Sequence, residues 1–225
     1  LHAIADLIRD ERTSQSSRPT FGSVHGTDAT EIAASDLTLD KFVETSILDG
    51  VRSLAPPARD VTTVLLTGAT GYLGRFLLID WLDRVSAVNG KVVCLVRAKD
   101  DEAARRRLDS VFDSGDADLL SRYSGMAAPH LEVIAGDKGA ADLGLDHTTW
   151  QRLAGEVDLI VDPAAMVNHM LPYQQLFAPN VVGTAELIRL ALTVRQKPLA
   201  FVSSIGVGAV IPFGPVPYTL LPPPT

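Results

Sequence analysis

The sequence is poor in the residues from which disulfide scaffolds, metal clusters and membrane spans are made. It holds one cysteine, Cys94, among 225 residues, so neither a disulfide framework nor a cysteine-based metal site can be drawn from it. Cys94 lies in the apolar run Val92-Val93-Cys94-Leu95-Val96 and reads as a small core residue, which fits a reducing, cytoplasmic setting. No apolar stretch reaches the roughly 18 residues that a membrane span needs. The first dozen residues mix Asp6, Asp10 and Glu11 with Arg9 and Arg12, unlike a signal peptide, so no membrane partner is expected. Positive charge is also short: 20 Lys and Arg face 27 Asp and Glu, a formal net charge of −7 that argues against a nucleic-acid partner. What the chain does have is apolar residues, 46% of the total, enough to bury one sizeable core with some chain left over.

That remainder lies at the two ends. Residues 1–12 put Leu1, Ile4, Ala5 and Ile8 on one face of an amphipathic helix. A polar stretch closing on Pro19 follows and reads as a linker. Residues 21–60 look like a lead-in arm, with a short helix expected around 39–47, capped by Thr38 or Asp36, before Pro56-Pro57. At the other end, residues 211–225 form a proline-rich tail, with six of the 14 prolines at or after Pro212 and no strand or helix period.

Between them, residues 61–210 alternate short β-branched runs with helical stretches. Strands are expected at 64–67, 91–96, 131–135, 157–162 and 199–202, and helices at 72–85, 101–112 and 181–194. Five-residue strands separated by helices favour right-handed βαβ units. The expected class is α/β, a Rossmann-type doubly wound parallel sheet with helices on both faces, preceded by a short helical arm.

The strongest motif is Gly68-Ala69-Thr70-Gly71-Tyr72-Leu73-Gly74, which directly follows a strand and opens a helix. Gly68 allows a tight turn, Gly71 lets backbone approach a pyrophosphate, Gly74 allows close helix packing, and the helix N-terminus offers N–H donors to an anion. The second strand ends in Leu95-Val96-Arg97, where a site preferring NAD usually carries an acidic residue. A guanidinium there suits a 2′-phosphate, so NADP(H) is expected. Arg107 is placed to reach the same phosphate, whereas Arg105 and Arg106 fit a solvated helix face better. Asp137, after the third strand, is placed to accept from an adenine amino group, though an ordinary loop aspartate is nearly as good a reading. The fourth strand ends in Asp162-Pro163-Ala164-Ala165, whose small residues let backbone lie against the ribose and pyrophosphate. Asn180 opens a helix and is suited to fixing a neighbouring loop, while the isolated His169 is read as structural.

The last run, 199–207, reads as a buried strand that delivers Ser203 and Ser204 at its carboxyl end, beside the nicotinamide. Such a hydroxyl suits stabilising an oxyanion on a substrate carbonyl. The proton donor that usually accompanies it, a tyrosine followed four residues later by lysine, is missing. Tyr72, Tyr123, Tyr173 and Tyr218 are followed at that spacing by Phe76, Ala127, Phe177 and Pro222.

Taken together these motifs resemble an extended short-chain dehydrogenase/reductase, and more closely the C-terminal thioester reductase domain of bacterial carboxylic acid reductases. The segments that carry the resemblance are 64–74, Leu95-Val96-Arg97, Gly136-Asp137, 201–207 and above all 161–192, VDPAAMVNHMLPYQQLFAPNVVGTAELIRLAL. In that family an adenylation domain activates a carboxylate with ATP. A carrier domain then holds the acyl group as a phosphopantetheine thioester, and the reductase releases an aldehyde with NADPH. The resemblance implies that residues 1–12 end a carrier domain of the same polypeptide, which presents the acyl thioester. It implies that Thr70 to Leu73 hold the pyrophosphate, Arg97 and Arg107 the 2′-phosphate, Asp137 and Lys138 the adenine side, and Pro163, Ala164 and Ala165 the ribose. Ser203 and Ser204 would meet the nicotinamide and the substrate, with Ser204 the catalytic hydroxyl. It also implies further chain beyond about residue 210, bearing a tyrosine and lysine pair and a substrate subdomain, so that these 225 residues alone are expected to be inactive. Two other readings stay open: an NADP(H)-binding or carrier-docking module without catalysis, and a nucleotide-sugar epimerase or dehydratase, against which Arg97 argues. No metal-ligating set is read in the sequence, and the oligomeric state is not legible in it.

Overall fold

The structure is a computed structural model, and it describes residues 18–204 except 28, 30 and 114. The helix expected over 1–12 and the tail at 211–225 lie outside the described residues. Five parallel strands form one sheet in the order β3-β2-β1-β4-β5. They are β1 (Thr63–Thr67), β2 (Lys91–Val96), β3 (Leu131–Ala135), β4 (Leu159–Asp162) and β5 (Leu199–Phe201). The chain builds outward from β1 to β3, then crosses back to place β4 on the other side of β1. That reversal opens a crevice at the carboxyl ends of β1 and β4, where ligands of such sheets bind.

Why these runs become central strands is plain from their side chains. Every residue of β1 is buried, because both faces of the sheet are covered by helices. Alternate residues serve opposite faces: Val64, Leu66, Val92 and Cys94 join one apolar cluster, and Leu65, Val93, Leu95 and Ile160 join the other. The first cluster is completed by α3 (Tyr72–Ser86), α4 (Asp101–Phe112) and α5 (Ala117–His130), through residues such as Leu78, Leu108 and Tyr123. The second is completed by α6 (His147–Glu156) and α8 (Gly183–Ala191), through Trp150, Leu153, Leu187 and Leu190. Cys94 is fully buried, and loss of water pushes its thiol well above the ordinary range, which leaves it inert. No helix among the described residues is long and apolar enough to cross a membrane.

The structure departs from the sequence expectations in four places. The helix expected around 39–47 splits into a 3₁₀ turn, Leu39–Lys41, and a short α2, Thr45–Gly50. Neither expected cap serves it: Thr38 makes no side-chain cap, and the Asp36 carboxylate is taken by the His25 ring at 2.9 Å. His25 belongs to α1 (Phe21–His25), which packs with Phe42, Tyr173 and Phe177 and so fastens the arm to the sheet domain. The helices α5 and α6, capped by Asp116 and Asp146, were not among the expected elements. The helix expected at 181–194 starts earlier, as α7 (Tyr173–Phe177) running through a π turn, Ala178–Val182, into α8. Pro179 lacks the N–H an α-helical turn would use, which suits that wider turn. Finally, β5 is not buried: among the described residues it is a short edge strand, with Phe201 50% exposed.

Candidate nucleotide-binding site

The carboxyl ends of β1 to β4 surround a cleft of about 280 Å³. Its floor is the turn between β1 and α3. Gly68 has φ +62°, a left-handed conformation that favours glycine, and a Cβ there would come within 2.9 Å of the Ala164 backbone. Gly71 donates its N–H to the Gly68 carbonyl at 2.9 Å, closing the turn. It also stands at the N-cap of α3 without any side-chain cap, so the helix's first N–H groups remain available to an anion. At Gly74 a Cβ would lie 1.9 Å from the Gly68 carbonyl oxygen, so the first turn of α3 presses directly on the loop.

Two cations stand at the end of β2. Arg97 is exposed, and Arg107 of α4 donates from Nη1 to the Arg97 carbonyl at 2.5 Å. Both line the cleft, and no carboxylate pairs with either among the described residues. Their neighbours behave differently: Arg105 pairs with Asp109 at 2.9 Å, and Arg106 pairs with Glu102 on the same helix. Across the cleft, the Asp137 carboxylate accepts from the Gly139 N–H at 2.8 Å, an Asx turn that holds this rim in shape.

Of the residues singled out in the sequence, Gly68, Thr70, Gly71, Arg97, Arg107, Asp137, Lys138, Pro163, Ala164 and Ala165 all line the cleft. Tyr72, Leu73 and Gly74 lie outside its lining, on the first turn of α3. Asn180 stands behind it: its side chain accepts from Met166 N at 2.7 Å and donates to Met166 O at 3.0 Å, tying the loop after β4. Ser203 and Ser204 follow β5 at the same end of the sheet but do not line the cleft. Lys138, expected beside Asp137 on the adenine side, lines the cleft and directs its ammonium to Asp162.

Sequence reasoning missed Thr67, Asp162 and Pro179. Asp162 carried a signal, a carboxylate ending an apolar strand, where burial demands a partner. Among the described residues there is no cluster able to hold a metal ion.

A glycine turn opening an uncapped helix at the β1/β4 reversal, with unpaired arginines at the end of β2, defines a Rossmann-type dinucleotide-binding domain. A family profile described as male sterility protein, a group of NAD-binding domains, matches residues 66–218, and the chain belongs to that family. It is 60% identical, over 94% of its length, to a carboxylic acid reductase from Mycobacterium tuberculosis, of which it spans 18%. Among solved structures it resembles the reductase (R) domain of a nonribosomal peptide synthetase from Mycobacterium tuberculosis, with 57% identity and a TM-score of 0.74 over 80% of this chain and 42% of that one. The terminal R domain of the myxalamid pathway is similar at 36% identity and a TM-score of 0.64, covering 73% of this chain and 40% of that domain. These relatives agree with the resemblance carried by residues 161–192.

Proposed function

We propose that this chain is the cofactor-binding part of an NADPH-dependent reductase that takes an acyl thioester from a carrier domain's phosphopantetheine and yields an aldehyde. The observation that carries the NADPH half is that the cleft arginines Arg97 and Arg107, beside the glycine turn, have no carboxylate partner among the described residues, Arg107 donating to the Arg97 carbonyl. A 2′-phosphate offers each guanidinium charge-assisted hydrogen bonds that NADH lacks. The turn from Gly68 through Leu73 receives the pyrophosphate, Asp137 faces the adenine, and Pro163 to Ala165 face the ribose. The names of the relatives, a carboxylic acid reductase and peptide-synthetase reductase domains, support the thioester half.

When bound, the reduced nicotinamide would supply a hydride to the acyl carbonyl, and cleavage of the C–S bond would then release the pantetheine thiol and leave the aldehyde. The Ser204 hydroxyl donates to the carbonyl oxygen and steadies the negative charge that develops there, with Ser203 against the nicotinamide. Residues 1–12 are the end of the carrier module on this reading.

Fluorescence titration with NADPH and NADH, on the wild type and on Arg97→Ala, tests the first half. Equal affinity for both nucleotides would sink it. Incubation with an acyl-pantetheine thioester and NADPH tests the second half. A second reading, cofactor binding without turnover, is favoured by the absence of any Tyr-x-x-x-Lys pair in the 225 residues. NADPH that binds but is not consumed would select it.

A further inference from the structure

The Asp162 carboxylate, at the end of β4, is wholly inaccessible to water, a costly burial for a charged group. It is not left alone. Thr67 at the end of β1 donates its hydroxyl to Oδ1 at 2.5 Å, and Lys138, just beyond β3, places its ammonium 2.5 Å from Oδ2. Lys138 is itself only 9% exposed, and its Nζ stands 5.9 Å above the ring of Phe201 in β5. One buried ion pair therefore gathers the carboxyl ends of four strands.

The same pair grips Ala164 from both sides. Its N–H donates to Asp162 Oδ1 at 3.3 Å, and its carbonyl accepts from Lys138 Nζ at 3.0 Å. Ala164 is the cleft residue whose backbone a Cβ on Gly68 would meet at 2.9 Å, so fixing Ala164 fixes the gap between the glycine turn and the loop after β4. An apolar pair of similar volume would fill the space and stabilise the fold as well or better. It would leave the Ala164 peptide ungripped.

We propose that Lys138 is a positioning residue: directly at the Ala164 carbonyl and through Asp162 it holds Ala164 as the wall against the ribose and nicotinamide half of the cofactor, without touching the adenosine half. The proposal rests on the cofactor reading above. It departs from the adenine-side role that the family resemblance implied for Lys138.

The test is a pair of titrations of the 225-residue chain, with NADPH and with 2′,5′-ADP, which carries the adenosine and 2′-phosphate but no nicotinamide. Lys138→Met is expected to weaken NADPH about tenfold, the scale of a lost charge-assisted hydrogen bond, while 2′,5′-ADP stays within about twofold. The double variant Lys138→Met/Asp162→Asn removes the stranded carboxylate. It is expected to melt closer to wild type than the single variant while keeping the weakened NADPH binding, which separates positioning from loss of fold. Parallel weakening of both ligands in the double variant, or no change in either, would overturn the proposal. Failure of the wild type to bind either ligand would overturn the cofactor reading and this inference with it.

Discussion

At the amino ends of the strands, Lys91 holds Glu132 at 3.0 Å and Glu156 at 3.1 Å, Arg152 pairs with the same two carboxylates, and Arg195 holds Asp158 at 2.6 Å. At the carboxyl ends, Arg97 and Arg107 have no such partner among the described residues, although acidic residues flank them along α4. The residue types are the same at both ends. What differs is whether the fold satisfies the cation itself or leaves it for a ligand. The first arrangement neutralises the cations within the fold, and the second is the one that the proposed 2′-phosphate contact requires. Lys138 is the exception that sharpens the contrast, a cation at the ligand end that is both buried and paired.

The contrast is broken most severely at the glycine turn. Gly74→Ala drives a Cβ into the Gly68 carbonyl, and neither group sits on a flexible side chain that could yield. We expect a loss of about 3 kcal/mol in a urea melt, the upper range for overpacking, together with loss of NADPH binding. An unchanged melt would mean that α3 does not press on the loop. Arg97→Ala comes next. It is expected to cost about 2 kcal/mol of NADPH binding by titration, to leave NADH unaffected, and not to lower the melting temperature, since this guanidinium stabilises nothing in the fold.

Asp158 is the reciprocal case at the amino end. Burial works to raise its carboxyl, but the N–H groups of Thr62 and Thr63, the Thr62 hydroxyl and Arg195 together outweigh it and hold the group below the ordinary carboxylate range. A depressed native value means stability that is present above the unfolded value and lost as pH falls through the native one. Asp158→Asn should therefore cost about 1–2 kcal/mol at pH 7, with the gap to wild type narrowing below about pH 4. NADPH affinity should not move. A gap that does not depend on pH would show that the carboxylate charge contributes nothing.

How much of this was legible in the sequence depends on whether a feature is local. The glycine turn, the βαβ alternation and Arg97 at a strand end are each legible within a short stretch of sequence. So is the separation of Arg107 from Arg105 and Arg106, because i,i+4 acidic partners are visible along the helix. The helices α5 and α6 had local signals too, the caps Asp116 and Asp146, and each runs up to one of the expected strands, so both were within reach of the sequence. The Thr67–Asp162–Lys138 network was not legible, since its members stand 95 and 24 residues apart and meet only once three strands are in register. The exposure of β5 was hidden for a similar reason: an apolar run says that a strand forms, not how many neighbours it has.

The smallest effect tests whether the two ends are separable at all. Val194 has φ +65°, a left-handed conformation that a β-branched residue adopts only under constraint. The constraint is visible around it. Lys197, buried at the end of α8, donates to the carbonyls of Thr193 at 2.7 Å and Arg195 at 3.0 Å, and Arg195 must reach Asp158. The turn is thus held by charged groups on both sides of a residue that is itself 56% exposed. Asparagine tolerates this conformation better and removes no buried contact, so Val194→Asn should gain about 0.5–1 kcal/mol, a shift of roughly 1–4 °C in the melt. Because the turn lies at the amino ends of the strands, NADPH affinity should stay at the wild-type value. A variant that melts higher but binds NADPH differently would mean that the stabilising end of the sheet and the ligand-binding end are mechanically coupled, and that the division of labour between their cations is not as clean as their pairing suggests.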